Sequence, residues 1–194
     1  MKRVLLLLAQ GVEWLEAAAF ADVLGWADAL GDVSIDVVCA GLHPRLRCTF
    51  GCDVVPDVLV DQIDVADFDA LAIPGGFEPA GFYEDAYAPA FLDVIRAFDR
   101  AHKPIAAICV GALPVAKSGV LDGRQATTYK LLDGKRRKQL AQLGARVVDA
   151  PVVQDGNVIT STGPGTATDV AFRLLEALTS IETVNQIRHL MGFE

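Results

Sequence analysis

The sequence predicts a doubly wound α/β domain, a mostly parallel sheet with helices on both faces. Three observations carry that reading. Short β-rich runs alternate with helical patterns from one end of the chain to the other. The runs are continuously apolar, as strands buried on both faces are, and glycine-bearing turns stand where several of them end.

Val4–Leu8 is the first such strand, and the apolar positions Leu15, Ala18, Ala19, Val23 and Trp26 then recur at helical spacing within Val12–Leu30, with Gly31 as the stop. Ser34–Ala40 reads as the second strand, and residues 41–60, rich in Gly, Pro and alternating residues, as a small hairpin excursion. Phe68–Ile73 runs into Pro74-Gly75-Gly76, a strand ending in a turn that glycine makes cheaply. Ala88–His102 is helical, Pro104–Ile108 is an apolar strand ending at Cys109, and a helix begins near Val110. Pro114 is tolerable there because the N–H groups of a first helical turn are unpaired anyway. The rest predicts a strand at Gln125–Tyr129, a basic helix over Asp133–Leu143, strands at Arg146–Asp149 and Val158–Ser161, and helices over Thr166–Leu178 and Ile181–Met191. The sequence shows no repeat, low-complexity tract or linker, so a single domain over 1–194 is expected.

Composition narrows the function. The 194 residues are 52% hydrophobic and 22% charged, enough to bury about 70% of the unfolded surface and leave roughly 8,900 Å² exposed. A net charge of -8 is the wrong sign for tracking a phosphate backbone, so nucleic acid is not expected as a partner. Met1-Lys2-Arg3 before Val4–Leu8 imitates a signal peptide, but Gln10, Gly11 and Glu13 break the run and no cleavage site follows. No stretch reaches the ~18 apolar residues of a membrane span, and a cytoplasmic protein without membrane contact is expected. The four cysteines lack a second pair to complete a zinc set. A Cys48–Cys52 disulfide is conceivable, regulatory or adventitious.

Ala107-Ile108-Cys109-Val110-Gly111 places a thiol in the turn between a buried strand and a helix, the arrangement of a nucleophile elbow with Cys for Ser. The helix N-terminus behind it would favour thiolate; the alternative is a buried structural cysteine. Glu13 and Glu16 share a face at the start of the first helix, and either one could reach the cysteine or simply be solvated. Gly75 and Gly76 could present backbone N–H groups to a developing oxyanion, or form an ordinary turn. Lys135-Arg136-Arg137-Lys138 reads as a solvated helix face, and Gly163-Pro164-Gly165-Thr166 as a tight turn into the last helices rather than a phosphate loop. Trp14 and Trp26 are either core residues or a packing face for a second subunit.

Taken in order, Ala9–Glu16, Leu71–Gly76, Ala106–Gly111 and Ile159–Thr166 resemble the ThiJ/PfpI superfamily, glutamine amidotransferase-like proteins that include deglycases, PfpI proteases, glyoxalase III-type chaperones and isocyanide hydratases. The resemblance implies a flavodoxin-like sandwich, a reactive Cys109, a protonated Glu16 hydrogen-bonded to its thiolate, the glycine pair Gly75 and Gly76, and a homodimer. It also has departures. Thr127-Thr128 is followed by Tyr129 where the deglycase-like branch has histidine, and Cys109 by Val110 where the protease-like branch has one. Neither His43, His102 nor His189 stands at a catalytic position of the family. Without an imidazole, peptide hydrolysis is poorly supported, whereas addition to a small electrophile or oxidation of the thiol needs only a thiolate and an acid. The expectation is a small-molecule enzyme without cofactor or metal. Its residues would be Cys109 as nucleophile, Glu16 as acid, Gly75, Gly76 and the Val110 backbone as oxyanion donors, and Tyr129 as a hydrogen-bonder, acting on reactive aldehydes or their adducts. The alternatives are a redox-responsive stress protein and a non-catalytic binding protein.

Overall fold

The computed structural model describes residues 1–193. Its elements in chain order are β1 (Lys2–Leu8), α1 (Trp14–Leu30), β2 (Ile35–Gly41), β3 (Leu46–Arg47), β4 (Asp53–Val54), β5 (Val58–Leu59), β6 (Ala70–Ile73), α2 (Phe82–Ala86), α3 (Pro89–Arg100) and β7 (Ile105–Ala107). There follow α4 (Ala112–Lys117), β8 (Gln125–Ala126), α5 (Lys135–Gln142), β9 (Arg146–Val147), β10 (Val152–Asp155), β11 (Val158–Ser161), α6 (Ala167–Leu178) and α7 (Ile181–Leu190).

A seven-stranded sheet in the order β10-β11-β7-β6-β1-β2-β5 forms the centre. All its neighbours pair in parallel except β10 and β11. This is the flavodoxin-like, mostly parallel arrangement. Strand β1 is an interior strand because Val4–Leu8 are apolar on both faces, and each of them is buried. Helices α1, α6 and α7 pack together against the sheet, and α2 to α5 form the other group. The exposed surface of 8673 Å² is close to that expected for a chain of this mass.

The differences from the sequence reading have local causes. The hairpin excursion exists as β3 paired antiparallel with β4, but Val58–Leu59 leaves it and joins the main sheet beside β2. The strand expected over Gln125–Tyr129 stops at Ala126, because Thr127 turns its N–H to the Thr160 hydroxyl at 3.0 Å and leaves the ladder. Strand β10 and helix α2 have no counterpart in the sequence reading. The first is an edge strand of only four residues and the second a helix of five, both too short to show a period. Trp14 and Trp26 are 43% and 38% exposed, so they do not belong to the core.

Doubly wound sheets place their sites where the strand order turns back, at the carboxyl ends of the strands. Here the chain builds outward from β1 through β2 and β5, then returns to β6 on the other side of β1. The loops after β1 and β6 therefore cross above the sheet. Val12 and Gly76 form an isolated antiparallel bridge there, with Phe77 N–H donating to Gly11 O at 3.0 Å and Glu13 N–H to Gly75 O at 2.9 Å. The crossing leaves no room for a side chain at residue 76: a Cβ would lie 2.3 Å from Gly11 O and 2.4 Å from the Phe82 ring. Gly76→Ala is expected to lower the unfolding free energy by about 3 kcal/mol, measured by urea denaturation at neutral pH. A loss under about 0.5 kcal/mol would show that the two loops are not held this closely.

Candidate active site

Strand β7 ends at Ala107 and the chain turns at once. Ile108 N–H donates to Ile73 O at 3.0 Å, and Cys109 follows with φ of +56°, a left-handed conformation that costs a residue with a Cβ about 1 kcal/mol or more. Two contacts hold it there. Thr128 Oγ1 donates to the Cys109 carbonyl at 2.7 Å, and Gly111 N–H donates to Ile108 O at 2.8 Å. Gly111 is required because a Cβ at that residue would stand 2.7 Å from Ile73 O. The elbow is therefore present, and the side chain it projects is almost fully buried.

Glu16 lies in the first turn of α1 with no exposed surface. Its Oε2 accepts the Gly75 N–H at 2.6 Å. Gly75 stands between carboxyl and thiol: a Cβ there would be 2.9 Å from Glu16 Oε2 and 3.1 Å from Cys109 Cβ. Only glycine lets the two groups face each other. Glu16 Oε1 is buried without a hydrogen-bond partner among the described residues. Glu13, by contrast, sits at the wall of the pocket, and burial raises its pKa as well.

Burial is the main electrostatic fact of the site. It pushes the Glu16 carboxyl up to about 8, against the Gly75 N–H and the Cys109 thiol, which pull it down. Burial also pushes the Cys109 thiol up, a charged Glu16 pushes it further, and the Val110 N–H pulls it down. This runs against the expectation that a helix terminus alone would favour thiolate: α4 has only six residues and a 3-10 turn intervenes. A thiolate here requires that Glu16 keep its proton, since a carboxylate in the same place repels it.

Above this pair opens a cavity of about 560 Å³, whose wall includes Gly76, Phe77, Val110, Tyr129, Leu131, Leu132 and Pro164. Of the proposed oxyanion donors, Gly75 has given its N–H to Glu16, whereas Gly76 and Val110 reach the cavity. The Tyr129 ring and the Cys109 sulfur both flank Gly163, where a Cβ would lie 3.6 Å from Tyr129 Cδ2 and 4.0 Å from Sγ. Tyr129 is half-buried in the cavity wall.

Sequence reasoning missed the cationic edge. Lys135 and Arg136, read as part of a solvated face, belong to the cavity wall and both donate to Glu78 Oε2 at 2.9 Å. A run of four cations carries no sign of which two turn inward. The apolar wall residues Phe77, Leu131 and Leu132 were equally silent. None of His43, His102 and His189 lines the cavity, and His43 instead meets Asp85 Oδ1 at 2.9 Å. Among the described residues no cluster of three or more His, Cys, Asp or Glu is placed to hold a metal ion, and no helix is long and apolar enough to cross a membrane.

Comparison with known proteins agrees with this arrangement. The model of the DJ-1/PfpI family matches residues 2–177. Protein DJ-1alpha of Drosophila melanogaster is 34% identical over 193 residues, covering 98% of this chain and 83% of its own. The glutathione-independent glyoxalase DJR-1.2 of Caenorhabditis elegans is 29% identical over 173 residues, covering 89% of each. The crystal structure of Drosophila melanogaster DJ-1beta superposes with a TM-score of 0.86 at 32% identity, over 100% of this chain and 98% of that one.

The raised Glu16 carboxyl has a sign that can be checked. Between its ordinary value of 4.5 and about 8 the folded chain keeps a proton that the unfolded chain has lost, so Glu16 lowers stability as pH rises through that window and adds no further loss above it. Glu16→Gln is therefore expected to stabilise the fold by a few kcal/mol at pH 8 and by little at pH 4.5, on the scale of about 1.4 kcal/mol per unit. Urea melts of both proteins at the two pH values test this; a variant no more stable at pH 8 would place an ionised carboxylate in the site. Alkylation of native Cys109, followed by peptide mass spectrometry against pH, locates the shared proton. If Glu16 holds it, Glu16→Gln moves the midpoint up; a midpoint that falls means a carboxylate had been repelling the thiolate.

Proposed function

Because the chain belongs to the DJ-1/PfpI family, we propose that it is a cysteine-dependent enzyme acting on small electrophiles, with 2-oxo aldehydes as the substrate class. One observation carries the reading: a thiol held at φ +56° stands with a buried carboxyl, which desolvation pushes up to about 8, at a cavity of about 560 Å³. That volume suits a small molecule and not a folded polypeptide. The name of the Caenorhabditis elegans relative, a glutathione-independent glyoxalase, supports the choice of aldehyde.

The chemistry uses the residues in place. Cys109 sulfur attacks the aldehyde carbon, the C–S bond forms, and the carbonyl π pair moves to oxygen. In this reading the backbone N–H groups of Gly76 and Val110, two residues of the cavity wall, receive that developing charge, and Glu16 gives it a proton, leaving a hemithioacetal and a carboxylate. The neighbouring ketone acidifies the hemithioacetal C–H, and the Glu16 carboxylate takes that proton to give an enediolate, whose remaining hydroxyl proton can pass between its two oxygens. Reprotonation at the adjacent carbon yields a 2-hydroxy thioester. Water cleaves it to the 2-hydroxy acid and returns the thiol, so one aldehyde and one water give one acid. Tyr129, in the cavity wall, serves as a hydroxyl donor to a substrate oxygen.

Turnover of methylglyoxal, followed by release of the hydroxy acid, tests the assignment. Cys109→Ser is expected to lower kcat/KM by about 10³-fold or more, and Glu16→Gln to lower kcat by about 10²-fold. Unchanged turnover in Cys109→Ser would end the proposal.

A second reading rests on Glu16 Oε1, the buried carboxyl oxygen without a partner. A protonated carboxyl there could donate to an oxygen added to the thiol, and the protein would then register peroxide through a Cys109 sulfinate. That reading expects two oxygen atoms on the Cys109 peptide after peroxide treatment and no consumption of aldehyde.

A further inference from the structure

Away from the elbow, the two other thiols that face each other close the β3–β4 hairpin. The register pairs Leu46 with Val54 and Arg47 with Asp53, so the next facing pair is Cys48 and Cys52. Cys48 N–H donates to Cys52 O at 2.8 Å, and the Thr49-Phe50-Gly51 turn between them is closed by Gly51 N–H to Cys48 O at 3.2 Å, with Gly51 at φ +95°. Facing residues of an antiparallel ladder have Cα atoms about 4.5–5.5 Å apart, inside the range of about 4.4–6.8 Å that a disulfide spans. The pair is also asymmetric: Cys52 is exposed and Cys48 is buried.

We propose that Cys48 and Cys52 form a redox-active dithiol site that takes low-molecular-weight disulfides as its substrate class. The exposed Cys52 thiolate attacks one sulfur of the external disulfide, an S–S bond to Cys52 forms, and one thiolate leaves. Cys48 loses its proton and attacks the Cys52 sulfur from within the hairpin. The intrachain bond forms and the second thiolate leaves, so two electrons and two protons pass from the pair to the external disulfide. The order of attack follows from burial, which with the neighbouring Cys52 pushes the Cys48 thiol up to about 12 and keeps it protonated until the mixed disulfide stands beside it.

The site stands against the catalytic cavity without sharing its thiol. Thr49 Oγ1 donates to Gly11 O at 2.7 Å and Thr49 N–H to Val12 O at 3.0 Å, on the loop that leads into α1. Phe50 packs edge-on against Phe77 of the cavity wall, ring centroids 5.5 Å apart.

The test equilibrates the native full chain in glutathione buffers of increasing oxidised fraction, quenches with acid, alkylates free thiols and digests with trypsin. Cleavage after Arg47 and Arg96 gives one peptide holding Cys48 and Cys52 and no other cysteine. The expected result is a peptide short of two hydrogens and unlabelled at both positions, whose halves stay linked after chymotryptic cleavage at Phe50. Cys52→Ser, which changes only an exposed side chain, is expected to leave Cys48 fully labelled in the same buffers. A Cys48 that stays labelled in the native chain at every buffer ratio overturns the proposal, whether Cys52 is free, glutathione-bound or joined to a second chain. So does a Cys52→Ser protein that still loses its Cys48 label.

Discussion

The hydrogen bond from Gly75 N–H to Glu16 Oε2, 2.6 Å long and out of contact with water, is the interaction on which the site depends. It joins the loop after β6 to the first turn of α1, two segments separated by 59 positions in the chain, and it fixes the carboxyl beside the elbow thiol. It forms only because the two loops approach to backbone contact. That approach requires glycine at 75, 76 and 111, where a Cβ would meet Glu16, Gly11 and Ile73 respectively within 3.0 Å. The strand order supplies the rest: β6 and β1 are neighbours across the point where the sheet reverses its direction of growth.

Two costs are concentrated here. A carboxyl taken out of water resists ionisation, and a cysteine at φ +56° is strained, so neither feature contributes to stability. The sheet beneath offsets both. Val4–Leu8, Ala70–Ile73 and Ile105–Ala107 are buried side by side in parallel register, and each fully buried aliphatic side chain of leucine size contributes roughly 1.5–3 kcal/mol. A rigid central sheet can therefore hold, at its carboxyl edge, a pair of groups that would relax apart in a softer setting.

Much of this was legible before any coordinates. Continuous apolar runs announced β1, β6 and β7, and the helical period announced α1, α3 and α6. The elbow could be read because a cysteine directly after a buried run, with glycine two residues on, leaves few other geometries. Glu16 was harder, since the spacing of Glu13 and Glu16 puts both on one face and only the resemblance separated them; both are buried in the structure, and the Gly75 N–H bond to Glu16 is what sets Glu16 apart. The glycine pair was read as two equivalent donors. The structure divides their work, because Gly75 is engaged by Glu16 and Gly76 is the point where the loops touch. The direction of the thiol's shift was not legible either: a helix terminus is visible in sequence, whereas the depth of burial that outweighs it is a property of the packed fold. Lys135, Arg136, Leu131 and Leu132 reach the cavity through a loop with left-handed residues at Leu132 and Asp133, a path no periodicity announces.

Among its described lining residues the cavity holds Tyr129 and no histidine, and this gives the site its character. An imidazole beside a thiol can take its proton near neutral pH and carry it to a leaving group, which is what acyl transfer from a peptide demands. Tyr129 offers a hydroxyl, a hydrogen-bond donor and acceptor, and supplies no imidazole to the site. Among the described residues that line the cavity there is no histidine, and the carboxyls of Glu13 and Glu16 stand there with Cys109, both raised by burial and Glu16 pushed up to about 8. A single carboxyl with a pKa near 8 suits reactions in which the proton given at one step is recovered at the next, as in addition to a carbonyl followed by enolisation. It does not suit reactions that need an acid and a base at once on opposite sides of the sulfur. Burial thus leaves a single carboxyl that can give and recover one proton beside the thiol, and the hydrogen bond from Gly75 N–H holds it there.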